Sequence, residues 1–134
     1  MFTIYTPIEI VQILIAIFFC SCMIQSGLDK VFDWKGNNEF LKSHFSKTFL
    51  SGMVPMMLFI VTLLELLGGF LCLVGAAMGI ISFDTSLISI GLFIIAIDLI
   101  ALFFGQRIAK DYQGAATLVG YFMLSILGIV TFGL

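Results

Sequence analysis

The sequence predicts an all-α membrane protein, four antiparallel transmembrane helices with one amphipathic interfacial segment between the first and second. Three observations predict it. The chain has 134 residues of which 61% are hydrophobic and 10% charged, with a mean hydropathy of +1.21. A soluble domain of this size hides only about 70% of its unfolded surface, so water is the wrong solvent for such a composition. Second, the apolar residues gather in four windows of about 20 residues, each about 30 Å of helix. Third, runs such as Ile13-Leu14-Ile15-Ala16-Ile17-Phe18-Phe19 are apolar on every face, without the alternation a β-barrel strand requires.

The first span covers Ile8 to Leu28. No basic residue precedes it and no small-x-small cleavage signal follows, so it is expected to stay in the mature chain. The segment 29–53 comes next, with Lys35, Glu39, Lys42 and Lys47 set among Trp34, Phe40, Phe45 and Phe49. Leu41, Phe45 and Phe49 share one side of a helix at i, i+4 and i+8, and indole favours the headgroup level, so Trp34, Phe45 and Phe49 mark an interfacial loop. The remaining spans cover Val54 to Val74, Ser86 to Gly105 and Gly114 to Leu134, joined by loops at Gly75 to Thr85 and Gln106 to Gln113. All 134 residues then form a single domain.

All six Lys and Arg fall on the side of the first and third loops. The positive-inside rule places that side in the cytoplasm and both termini outside it.

Two acids lie within spans, where each costs about 2.5–3.5 kcal/mol at a helix centre. Glu65 stands about 16 Å in from the basic side and Asp98 about 10 Å, at 1.5 Å per residue. Each rides a seam of small residues: Gly68, Gly69, Gly75 and Gly79 with Glu65, and Gly91, Ala101 and Gly105 with Asp98. Those seams, with Gly27 on the first span, point both carboxyls inward. The expected result is one intramembrane polar cluster of Glu65, Asp98 and Lys30, Arg107 or both, with Gln12 and Gln25 also within reach if the first helix turns that way. Such a cluster serves either as a clasp that fixes helix register, or in moving protons, binding a headgroup or gripping a partner.

No metal or cofactor is expected. Cys20 and Cys22 point about 200° apart on a helix, and Met53, Met56 and Met57 beside Pro55 read as packing rather than copper ligands. His44 is the only histidine. Serine-hydrolase sets, phosphate loops and dinucleotide fingerprints are missing, and a pI near 5.0 argues against nucleic acid as a partner.

Ser26-Gly27-Leu28-Asp29-Lys30-Val31-Phe32, then Val54-Pro55, then Leu63-Leu64-Glu65-Leu66-Leu67-Gly68-Gly69 and Gly75 form an ordered series over about the first 80 residues. In that order and spacing the chain resembles the DoxX family of four-helix membrane proteins, whose pattern falls here on Gly27, Lys30, Glu65, Gly68 and Gly69. The second half is similar in length and hydropathy alone, and the ends lack the basic residues of many relatives. The resemblance implies a place in membrane-associated redox systems, such as the small subunit of a thiosulfate:quinone oxidoreductase. Three functions follow: an accessory or anchoring subunit of a larger, redox-linked assembly in the bacterial inner membrane; a quinone- or thiol-linked oxidoreductase subunit using Glu65 and Asp98 for proton transfer; or a small transporter or proton pathway. The expected partners are the lipid bilayer and other membrane subunits, with quinone a partner only under the second function.

Overall fold

The structure, a computed structural model, describes residues 6–133. Leu134 at the end of the fourth window and the first five residues of the expected single domain lie outside them. Helix α1 runs Pro7–Phe32, α2 Trp34–His44, α3 Val54–Ser82, α4 Ser86–Ile108 and α5 Tyr112–Val130, with single 3₁₀ turns at Ser51–Met53 and Thr131–Gly133. All but α2 are long and apolar enough to cross a membrane. Among the described residues there is no strand.

Local chemistry sets the helix ends. Thr6 accepts the Glu9 N–H at 3.1 Å and donates its hydroxyl to Glu9 Oε1 at 3.0 Å, while Pro7 supplies a preset φ in the first turn. Asp33 breaks α1 at φ −126° and ψ 53°, and its carboxylate accepts the Gly36 N–H that opens α2. Asp111 does the same for α5, accepting from Gly114 N at 2.9 Å. The two turns at the ends of α3 and α4 pass through Phe83 and Lys110, both left-handed at φ 61° and 62°. Neither is glycine, so the sequence carries no turn signal there.

α3 is the centre of the fold, packed along α1 on one side and α4 on the other; α5 lies against α4 and meets α1 more sparsely, at Gln12–Thr131, Ile15–Gly128 and the stacked rings of Phe18 and Tyr121. This order explains why Gly68 and Gly69 are adjacent. A Cβ on Gly69 would lie 2.8 Å from Ile24 of α1, and one on Gly68 would lie 2.7 Å from Ile95 of α4. Neighbours on a helix point about 100° apart, so the seam expected along α3 is two seams, one for each partner helix. Gly75 and Gly91 serve the α4 side, Gly27 the α1 side, and Gly79 meets Ile13 and Thr85 together. The core between them holds Phe19, Cys72, Ile88, Leu92 and Ile95.

Boundaries differ from the sequence reading: α1 continues past Leu28 to Phe32 and α4 past Gly105 to Ile108, and two differences are larger. The loop expected from Gly75 is helical through Ser82, because Gly75 and Gly79 are close-approach positions rather than breakers. The interfacial helix ends at His44, and Thr48 N–H and Oγ1 both turn back to the Phe45 carbonyl. Phe45 and Phe49 therefore do not share a helix face. Phe45 is buried with Leu50 and Val54 under the base of the bundle, Phe49 is 75% exposed, and Trp34 is half-buried.

Candidate functional site

Lys30 lies in the last turn of α1, one turn after Gly27. A Cβ at Gly27 would lie 2.6 Å from the Leu66 side chain, so its absence lets α1 approach α3 beside Glu65. The Lys30 ammonium then reaches both Glu65 oxygens, at 3.2 Å and 3.1 Å, and donates to Ser26 Oγ at 2.9 Å. Its three donors are thereby used. Glu65 is 2% exposed, so this is a buried charge pair, held by hydrogen bonds on both sides.

Asp98 approaches the pair from α4. It is completely buried, within electrostatic reach of both Glu65 and Lys30. Among the described residues, neither of its carboxyl oxygens has a hydrogen-bond partner. The cluster thus holds two acids and one base, and the second acid is unpartnered.

Arg107 does not join it. The guanidinium lies over the Tyr112 ring, 4.7 Å from the centroid, at the turn between α4 and α5. Nine residues separate Arg107 from Asp98, about 13 Å of helix, and the nearby aromatic face gives the cation a closer partner. Gln12 is also elsewhere. At the opposite end of the bundle it accepts from Thr85 Oγ1 at 2.6 Å and donates to Thr131 Oγ1 at 3.0 Å, tying α1 to the α3–α4 turn and the end of α5. Gln25 is exposed on the outer side of α1.

The lower part of the α4 seam differs from expectation too. Ala101 is exposed and Gly105 half-buried, and a Cβ at Gly105 would find only the Phe45 ring, 3.5 Å away. They line a cleft instead of a helix–helix contact, and the Phe45 ring, packed with Leu50 and Val54, lines it with them.

No family model, curated protein or solved structure matches the chain. Its chemistry is therefore read from its own residues.

One further polar contact was invisible to sequence reasoning. His44 Nε2 lies 2.8 Å from Gln106 Oε1 and 3.8 Å from an Asp111 oxygen, linking the end of α2 to the α4–α5 turn. A separation of 62 residues leaves no periodic signal, and the residue types alone do not announce the pairing. No group of three His, Cys, Asp or Glu among the described residues is arranged to hold a metal ion, and the three cysteines are free. What the buried cluster holds is one ion pair beside a second carboxyl that has no hydrogen-bond partner among the described residues.

Proposed function

We propose that this chain is an accessory subunit that anchors a larger assembly in the bacterial inner membrane, with the redox linkage that its DoxX-like first half implies. The observation that carries the reading is Gly120. In α1, α3 and α4 every glycine has a neighbour from another helix or turn within 4 Å of where its Cβ would be, and in α5 Gly128 does too. Gly120 has nothing within 4 Å. It stands one turn after Ala116 on the outer side of α5, and both are exposed. A small-x-x-x-small pair inside a spanning helix is suited to close approach by another helix, which the described residues do not supply.

The test is native purification in mild detergent of the wild type and of a variant carrying Ala116→Leu and Gly120→Leu. Stoichiometric partner proteins that co-isolate with the wild type and are lost from a still-folded variant support an accessory role. A pure homo-oligomer sensitive to the same changes points instead to self-assembly and a transport role.

A second reading, an oxidoreductase subunit passing protons to a quinone or thiol through Glu65 and Asp98, draws support from the unpartnered Asp98 carboxyl. Quinone-dependent turnover by the isolated protein, abolished by Glu65→Gln, is the result that favours it.

A further inference from the structure

A cleft of about 390 Å³ opens between α2, α3 and α4 on the side carrying the basic residues. Its long walls are apolar, from Met57 and Val61 of α3, Leu102 of α4, and Phe45 beneath. Ala101 and Gly105 leave the α4 wall low, and the exposed Ile60 and Phe104 at its rim face outward, where the hydrocarbon of a bilayer would lie. Access is therefore from the membrane.

Polar groups stand at its outer end, where His44, Gln106 and Asp111 meet. Lys30 also lines the cleft, deeper in, but its ammonium is held by Glu65 and Ser26. The polar-to-apolar direction runs from the helix ends towards the bundle centre, the direction in which a lipid of one leaflet lies.

From this geometry we infer that the cleft is a binding site for an uncharged single-chain lipid, one whose head is a hydroxyl or carbonyl, drawn from the surrounding bilayer. Two features select that class. The volume is at the small end of the ~300–1,000 Å³ usual for small-molecule sites, enough for one chain and too little for a two-chain phospholipid. The rim offers imidazole and amide groups that donate and accept, its Asp111 carboxylate lies 3.8 Å from His44 Nε2 and accepts the Gly114 N–H, and the Lys30 charge is already neutralised by Glu65. A neutral head finds hydrogen bonds there, whereas an anionic head meets the Asp111 carboxylate, and the one lysine among the residues lining the cleft, Lys30, is already paired with Glu65.

The experiment is photolabelling of the full chain in lipid nanodiscs, using a monoacylglycerol with a diazirine near the end of its chain. The same labelled chain as an ionised fatty acid and as a phosphatidylcholine gives the comparison. Label from the monoacylglycerol should concentrate on residues 57–61 and 101–105, and fall about tenfold when Ala101→Phe or Gly105→Phe fills the cleft, the effect of about 1.4 kcal/mol. Label on the outer face of α5 should stay unchanged. In the wild type, unlabelled monoacylglycerol should compete and the fatty acid should not, a readout independent of how the variants fold. Labelling spread evenly over all outward faces overturns the inference. So does equal enrichment by phosphatidylcholine or the fatty acid, or enrichment that survives both cleft-filling changes.

Discussion

Lys30 and Glu65, 35 positions apart, meet at 3.1 Å across the α1–α3 contact, with the carboxylate side chain 3% and the lysine 18% exposed. The two are unequally committed to that contact. Lysine has a long stem and some access to solvent, while the glutamate is fixed in the interior.

Removing one partner is therefore expected to cost more than removing both. Lys30→Met strands a buried carboxylate and should destabilise by about 3–5 kcal/mol, whereas Glu65→Gln leaves a lysine that keeps Ser26 and can turn outward, at a smaller loss. The double variant should recover most of the stability of the wild type. Unfolding of all four proteins in detergent measures this, and additive losses would contradict it.

The glycines differ in the same measurable way. At Gly75 an added Cβ would lie 2.8 Å from the backbone nitrogen of Ile88, which cannot rotate away, so Gly75→Ala should destabilise by about 1–3 kcal/mol. Gly120→Ala meets open space and should raise helix stability by roughly 0.5–1 kcal/mol. Thermal unfolding that ranks the two the other way would refute the seam.

Much of this arrangement is legible before folding, and for a physical reason. Lipid accepts only long apolar helices with internally satisfied backbones, so four windows give four spans. A buried acid must turn inward, so Glu65 and Asp98 are placed by cost alone. Which cation answers them is a different matter. Lys30 and Arg107 carry the same charge on the same side, and the choice follows from Gly27 drawing α1 onto α3 and from Tyr112 holding Arg107. Those depend on which helices are neighbours, as do the His44–Gln106 contact and the cleft beside Ala101. The end of α2 at His44 escaped because the apolar spacing of Leu41, Phe45 and Phe49 continues past the point where the backbone turns.

Topology provides a third expectation. Lys30, Arg107 and the basic loop residues lie at one end of the bundle, and the Gln12 clasp with Thr85 and Thr131 marks the other. A phosphatase fused after residue 134 should be active in the periplasm. Fluorescence of a cytoplasmic reporter at that position would reverse the orientation.

Asp84, in the turn before α4, gives the pH prediction. Its carboxylate accepts the Ser86 backbone N–H at 3.0 Å, which holds its pKa below the ordinary value of 3.8. A carboxylate depressed in the folded state stabilises above its unfolded value and loses that contribution as pH falls through the folded one. Wild type should thus exceed Asp84→Ala in stability above pH 3.8, and the difference should shrink below it. Thermal unfolding across that range reads the effect, and a constant difference would remove the titration from the explanation.

Asp98 yields the prediction that separates structure from function. A fully buried carboxyl without a hydrogen-bond partner weakens a fold, and an apolar residue of similar size in its place relieves the penalty, about 1–3 kcal/mol for an unsatisfied polar group. Asp98→Leu is therefore expected to be more stable than the wild type, and Asp98→Asn, which also leaves polar atoms buried, should gain less. A residue kept at the expense of stability is characteristic of a working site. The stabilised Asp98→Leu protein should accordingly fail to restore the phenotype of a deletion strain, while assembling at normal levels in the membrane. Full restoration by that variant would leave the carboxyl without a task, and a variant less stable than the wild type would contradict the expected relief of the buried carboxyl.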